Sequence, residues 1–156
     1  MSAVLDLSQY RLRPMRKRDF AQITAIESRA YQYPWSSGIF QDCLRVGYSC
    51  WVYEDRRCIQ AYAIMSIAAA ECHVMNLTVN PAMHGQGVGR AVLRRLIAIA
   101  SDHGADTMLL EARPSNHAAL KLYRSEGFNE LGTRRAYYPA RGGREDAVIL
   151  AKALSP

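Results

Sequence analysis

The chain has 156 residues, 49% apolar and 22% charged, which is the length and composition of one globular domain with a sizeable core. No apolar run reaches the ~18 residues of a membrane helix, and Met1–Gln9 lacks the basic flank and apolar core of a secretion signal, so a cytoplasmic protein with no membrane partner is expected. The net charge of +6 is scattered over Arg11–Arg18, Arg56-Arg57, Arg90/Arg94/Arg95 and Arg134–Arg144 without a helix-turn-helix or RNP-like motif, so no direct nucleic-acid role is expected, while an anionic cofactor or an RNA-rich particle stays open as a partner.

Residues 1–9 read as a tail, and 10–153 as a single domain. Tyr10–Met15 is the first strand. Asp19 is expected to cap a helix, with Gln22 as its capping-box partner and Phe20, Ile23, Ile26 and Ala30 as its apolar face. Pro34-Trp35-Ser36 breaks the chain, and a short helix with Ile39, Phe40, Cys43 and Leu44 follows. Tyr48–Tyr53, Cys58–Ile67 and Glu71–Val79 read as strands, the first two forming a hairpin across Glu54-Asp55-Arg56-Arg57. A helix from about Gly89 to His103 stops at Gly104. Thr107–Glu111 is a strand, Asn116–Glu126 a helix ended by Gly127, and Asn129–Tyr137 and Asp146–Ala153 are strands around Pro139, Gly142 and Gly143. The order is β-α-α-β-β-β-α-β-α-β-β, an α/β fold with helices on both faces of a mixed, mostly antiparallel sheet.

Asn80-Pro81-Ala82-Met83-His84-Gly85-Gln86-Gly87-Val88-Gly89-Arg90 carries most of the functional information. Three glycines at alternate positions bare backbone N–H groups where a helix starts. Those donors and the positive end of the helix dipole make an anion site suited to a phosphorylated cofactor. Glycines in such a turn can alternatively serve tight geometry alone. A Rossmann dinucleotide site wants G-x-G-x-x-G and an acid about 20 residues on, a place Glu111 fills. Against it, the spacing here is G-x-G-x-G, there is one β-turn-α unit, and Asn76 and Thr78 interrupt the leading strand.

Cys43, Cys50, Cys58 and Cys72 form no C-x-x-C pair and no zinc-finger spacing, so they are expected to be buried or half-buried free thiols, with no metal and no acyl-cysteine. Glu111 ends the apolar run Met108-Leu109-Leu110, where partial desolvation suits a general base. A surface carboxylate paired with Arg113 is the other reading. Tyr123 lies seven residues after Asn116, on the same face of an ideal helix. It is either a functional phenol or a core tyrosine beside Leu120.

The element order and loop resemble the GNAT superfamily of N-acetyltransferases over about Tyr10 to Ala153. The family loop reads Gln/Arg-x-x-Gly-x-Gly/Ala, and His84-Gly85-Gln86-Gly87-Val88-Gly89 departs from it at His84. The loop works mainly through backbone N–H groups, so binding is expected to be retained. A narrower set of segments resembles the RimI-type ribosomal-protein-alanine N-acetyltransferases. These are Tyr33-Pro34-Trp35-Ser36, Leu110–Asn116, Leu122–Phe128, Arg134–Pro139 and Gly143–Ala147.

That resemblance implies that Leu77, Thr78 and Val79, with Gly85, Gln86, Gly87, Val88, Gly89 and Arg90, hold acetyl-CoA. Asn116 would contact it, Glu111 accept a proton and Tyr123 donate one. A backbone N–H near Leu77 would polarise the thioester carbonyl. Two loops, 31–37 and 135–144, would wall the acceptor site, with Tyr33, Trp35, Tyr137 and Tyr138 as substrate contacts. Tyr137 and Tyr138 alternatively serve as edge-strand aromatics. The implied partner is a protein N-terminus, that of a small-subunit ribosomal protein.

Neutralising a free α-amine at pH 7 costs about 1–1.4 kcal/mol, against roughly 4.6 for a lysine, so a single carboxylate favours the N-terminal amine. A lysine side chain, a small amine and an inert acyl-CoA-binding module remain the other readings. A basic acceptor tail is repelled by a +6 enzyme, and Asp42, Glu145 or Asp146 are the acids available to offset this.

Overall fold

Apolar residues at alternate positions build the strands, and apolar residues three to four apart build the helices. The computed structural model describes residues 6–56 and 58–154; Met1–Leu5 of the expected tail and Arg57 of the expected hairpin turn lie outside them. Its strands are β1 (Tyr10–Pro14), β2 (Ser49–Asp55), β3 (Cys58–Ala68), β4 (Glu71–Val79), β5 (Thr107–Ala112), β6 (Asn129–Ala140) and β7 (Gly143–Ala153). Its α-helices are α1 (Phe20–Ala30), α2 (Ser37–Arg45), α3 (Val88–Asp102) and α4 (His117–Ser125). The expected order of strands and helices is the observed one. The seven strands run β1-β2-β3-β4-β5-β7-β6, with β4 and β5 parallel. The tail residues Leu7–Gln9 form a 3-10 turn capped by Asp6. Among the described residues no helix is long and apolar enough to cross a membrane.

The chain divides into two compact units. The first comprises the residues up to Ser66 and Asn76–Leu96. Its β1–β2 and β2–β3 ladders are antiparallel, and Asp55 pairs with Cys58 across the expected hairpin. Ile23 and Ile26 of α1 and Phe40 of α2 are buried with Val52, Tyr62, Ile64, Leu93 and Leu96. The Phe40 ring meets Tyr62 edge-on at 5.7 Å.

Asp19 does not cap α1. Its backbone is already helical (φ −85°, ψ −14°). Its carboxylate turns back to accept both guanidinium arms of Arg13, at 2.8 and 2.9 Å, and the Arg16 N–H at 2.7 Å. A nearby cation offers charge-assisted bonds that a helix N–H does not match. Gln22, the expected capping-box partner, accepts the Ile59 N–H at 3.0 Å instead.

The second unit comprises Ile67–Met75 and the residues from Ile97 on. The β4–β5 pairs run from Glu71↔Thr107 to Val74↔Leu110, and β5 pairs along its whole length with β7. Along β5, Met108, Leu110 and Ala112 are buried, while Leu109 and Glu111 point to the opposite, half-buried face. The β6–β7 hairpin extends past the expected ends at Tyr137 and Asp146. It carries an irregular register between Arg134 and Tyr138, with Ala136 at φ 51°. Asp146 accepts the Ala136 N–H at 2.8 Å, and Arg144 donates to the Ala136 carbonyl at 2.8 Å, so side chains hold the bulge that the ladder leaves unpaired.

Candidate active site

In the first unit, β4 runs into the glycine loop. Asn80 Oδ1 accepts the Ala82 N–H at 3.1 Å and starts the 3-10 turn Pro81–Met83. His84, the departure from the family loop, places Nε2 3.0 Å from the Val79 carbonyl oxygen and so ties the loop to the end of β4. Gly85 and Gly87 have φ of 77° and 85°, and a Cβ built on either meets nothing within 4 Å. The left-handed backbone, rather than a lack of room, demands glycine at both. The Gly87 carbonyl accepts the Ala91 N–H at 3.1 Å, the first bond of α3. The N–H groups of the first turn, from Val88 on, precede that bond and lie at the positive end of a 15-residue helix. These residues fit a phosphate-bearing cofactor.

Thr78 is buried at 2% exposure, and its hydroxyl lies 2.6 Å from Asn76 Oδ1 and 2.7 Å from the Tyr31 hydroxyl. The Thr78 hydroxyl is therefore held by neighbours within the protein. The same chain of polar groups reaches Glu27, buried at 2% exposure. Glu27 accepts the Tyr62 hydroxyl at 2.5 Å, the Trp35 N–H at 2.9 Å and Asn76 Nδ2 at 3.3 Å. Burial and the Glu27 carboxylate push the Tyr62 phenol up, and burial pushes Tyr31 up to about 12.

Glu27 was not among the sequence candidates. It shares the apolar stripe of Ile23, Ile26 and Ala30, and a carboxylate there is the signal that identifies it. Trp35, expected to touch substrate, has its backbone N–H held by Glu27 and its ring 5.4 Å from Phe40; Tyr33 is exposed. Asp42 pairs with Arg45 at 3.1 Å.

In the second unit, the side chain of Glu111 is 9% exposed. Its Oε2 lies 2.6 Å from His73 Nε2, and its Oε1 lies 3.7 Å from Arg134 Nε. Arg113, the partner named by the surface reading of Glu111, makes contacts with the β6–β7 hairpin. It donates to the Pro139 carbonyl at 2.8 Å, lies 3.5 Å from Glu145 and stacks on the Tyr138 ring at 4.5 Å. Arg134 lies over the Tyr137 ring at 5.4 Å, and the two tyrosine rings meet edge-on at 4.9 Å. Arg134 thus connects Glu111 to the Tyr137-Tyr138 pair. Glu145 accepts the Ser115 hydroxyl and N–H, which with Arg113 hold its carboxyl below the usual range. Glu145 thus ties β7 to the segment before α4, and Asp146 serves the hairpin bulge, so the acids expected to offset a basic tail have local partners.

Asn116 is the N-cap of α4 rather than a residue within it, and its Oδ1 accepts the Ala119 N–H at 3.2 Å. Tyr123 is 8% exposed, with its ring 5.9 Å from Phe128. All four cysteines are free thiols; Cys43, Cys50 and Cys72 are buried, but Cys58 is exposed at the start of β3. Burial pushes Cys50 up to about 12 and Cys72 up to about 11, which suppresses thiolate chemistry at both. Among the described residues no cluster of three or more His, Cys, Asp or Glu is placed to hold a metal ion.

Residues 12–128 match the acetyltransferase (GNAT) family. The chain is 41% identical over 130 residues to the [ribosomal protein bS18]-alanine N-acetyltransferase of Escherichia coli (strain K12), covering 83% of this chain and 88% of the relative. The crystal structure of the ribosomal-protein-S18-alanine N-acetyltransferase from Escherichia coli superposes with a TM-score of 0.87 at 37% identity, covering 94% of this chain and 95% of that one. Salmonella typhimurium yncA, solved with its cofactor acetyl-CoA, shares the fold at a TM-score of 0.78 and 23% identity, covering 96% of each chain. The Rossmann alternative falls with these matches. The chain belongs to the acetyltransferase (GNAT) family of acyltransferases.

Proposed function

We propose that this chain is a cytoplasmic enzyme with a single acetyltransferase domain over residues 10–153. In this reading it acetylates the α-amine of an N-terminal alanine on a ribosomal protein of the bS18 kind, with acetyl-CoA as donor. The observation that carries the chemistry is the largely buried carboxylate of Glu111 near the end of β5, 2.6 Å from His73 and flanked by Arg134. The acceptor is inferred from the bS18-alanine relatives together with the low cost of neutralising an α-amine.

Acetyl-CoA supplies an acyl carbon activated as a thioester. Gly85 to Arg90 hold its phosphates through backbone N–H groups, with further contacts from Leu77 to Val79 and from Asn116. Glu111 takes the proton released as the amine forms its new bond to the acyl carbon. Tyr123 donates a proton to the sulfur that leaves. Tyr33, Trp35, Tyr137 and Tyr138 border the acceptor peptide.

The test is a CoA-release assay with three acceptors: a peptide beginning with alanine, an N-terminally blocked peptide with one lysine, and spermidine. The alanine peptide is expected to be turned over fastest, and mass spectrometry should place the acetyl group on its first nitrogen. Preference for either other amine overturns the acceptor assignment. No CoA release with any of them overturns the activity.

A further inference from the structure

His73 takes part in no step described so far, yet its ring lies 2.6 Å from the Glu111 carboxylate. The parallel register sets His73 of β4 opposite Leu109 of β5. Side chains alternate along a strand, so Glu111, two residues beyond Leu109, emerges on the face that also carries His73. Nε2 of His73 and Oε2 of Glu111 are 2.6 Å apart. A carboxylate acting as a base is ionised and only accepts, so in that working form Nε2 carries the hydrogen in this bond. The imidazole is the more open partner, at 36% side-chain exposure against 9%. The Arg134 Nε lies 3.7 Å from Oε1.

We propose that His73 is a positioning residue for the acetyl transfer: by donating Nε2–H to Oε2 it fixes the plane of the Glu111 carboxylate and leaves Oε1 as the oxygen that takes the amine proton. This rests on the reading of Glu111 as the base. Without that bond the carboxylate can swing about its last torsion, and a general base must be held to about 0.5 Å of its working position. A merely structural contact at this exposure would move stability slightly and leave kcat unchanged. The two roles therefore separate in kinetics.

The experiment compares His73→Phe, which keeps a ring and removes the donor, with His73→Gln, which restores a neutral N–H donor. Both are also made in a Glu111→Gln background, and the amine used is whichever the wild-type chain turns over best. His73→Phe is expected to lower kcat about 10- to 100-fold with KM for acetyl-CoA nearly unchanged. His73→Gln should recover most of that loss. In the Glu111→Gln background, His73→Phe should change the rate by less than about twofold, because its partner is gone. The rise in Tm caused by acetyl-CoA reports that each variant is folded, and His73→Leu is the second donor-free variant if the Phe protein loses it. Full kcat in both donor-free variants overturns the proposal, as does a Gln variant no better than Phe, or an undiminished loss in the Glu111→Gln background. Full activity of Glu111→Gln alone overturns the base reading. An inactive Glu111→Gln beside fully active His73 variants overturns only the role of His73.

Discussion

The two oxygens of Glu111 meet unlike neighbours, an imidazole at 2.6 Å and a guanidinium at 3.7 Å, while solvent is largely excluded. Such a site keeps one oxygen anchored and the other available, and this sets the expected ranking of substitutions. Glu111→Gln removes the proton acceptor and should lower kcat about 10²–10⁴-fold with acetyl-CoA affinity little changed. The deficit should shrink as pH rises above about 8, where an α-amine is already neutral. Tyr123→Phe keeps the ring against Phe128 and deletes one hydroxyl, so the fold should survive. A thiolate with a pKa of about 8.5 leaves fairly well unaided, and the expected loss is smaller, roughly ten- to a few hundred-fold. Steady-state kinetics of both single variants and the double variant decide this. Wild-type kcat in Glu111→Gln at pH 7 removes it from the mechanism, and loss of folding in Tyr123→Phe assigns that residue to the core.

The glycine loop shows how far an element can be read locally. Its turn, helix start and anion-binding character follow from residue types alone, because positive φ and unpaired first-turn N–H groups are local properties. Gly87→Ala should cost about 1–2 kcal/mol, from left-handed backbone strain and not from a clash, since the added Cβ faces open space. Gly87→Glu adds a carboxylate at the anion site. Thermal melts should show acetyl-CoA stabilising the wild type by about 2.7 kcal/mol at a hundredfold excess over Kd, Gly87→Ala less, and Gly87→Glu not at all. An undiminished shift in Gly87→Glu would move the cofactor elsewhere. The strands and helices were legible for the same reason, since their periods are written in consecutive residues. Side-chain partners chosen in the folded chain were not. Asp19 has the look of an N-cap, but Arg13 lies six residues away and takes its carboxylate. His73 reaches Glu111 only because β4 and β5 run parallel in one particular register, and nothing local sets that register. The insertion of β7 between β5 and β6 is likewise a property of the whole sheet.

At the scale of the molecule, four carboxyl groups, Asp6, Asp19, Glu54 and Glu145, sit below their ordinary range. Asp19 carries the argument because it is both buried and charged. Burial alone would raise it, but the Arg13 guanidinium and the Arg16 N–H reverse the balance. Glu54, 2.9 Å from Arg13 Nε, is lowered by the hydrogen bond from that guanidinium. Arg13 itself is raised, so it stays cationic throughout the acid range. For a carboxyl whose folded pKa lies below its unfolded value, about 3.9 for Asp and 4.3 for Glu, the unfolded chain binds the proton first as pH falls. The stabilisation is therefore complete above about pH 5 and is lost as pH drops through the folded values. Protonation also drives the net charge above +6, which adds self-repulsion to the same slope. Asp19→Asn should cost about 1–3 kcal/mol at pH 7, because it leaves Arg13 short of one charged partner in a largely buried place. Urea midpoints measured from pH 3 to pH 7 should then show the wild-type and Asp19→Asn curves separated at neutral pH and converging in acid. Parallel curves would mean that Asp19 is not held below its ordinary range, and that the acid sensitivity of this molecule lies in other carboxylates.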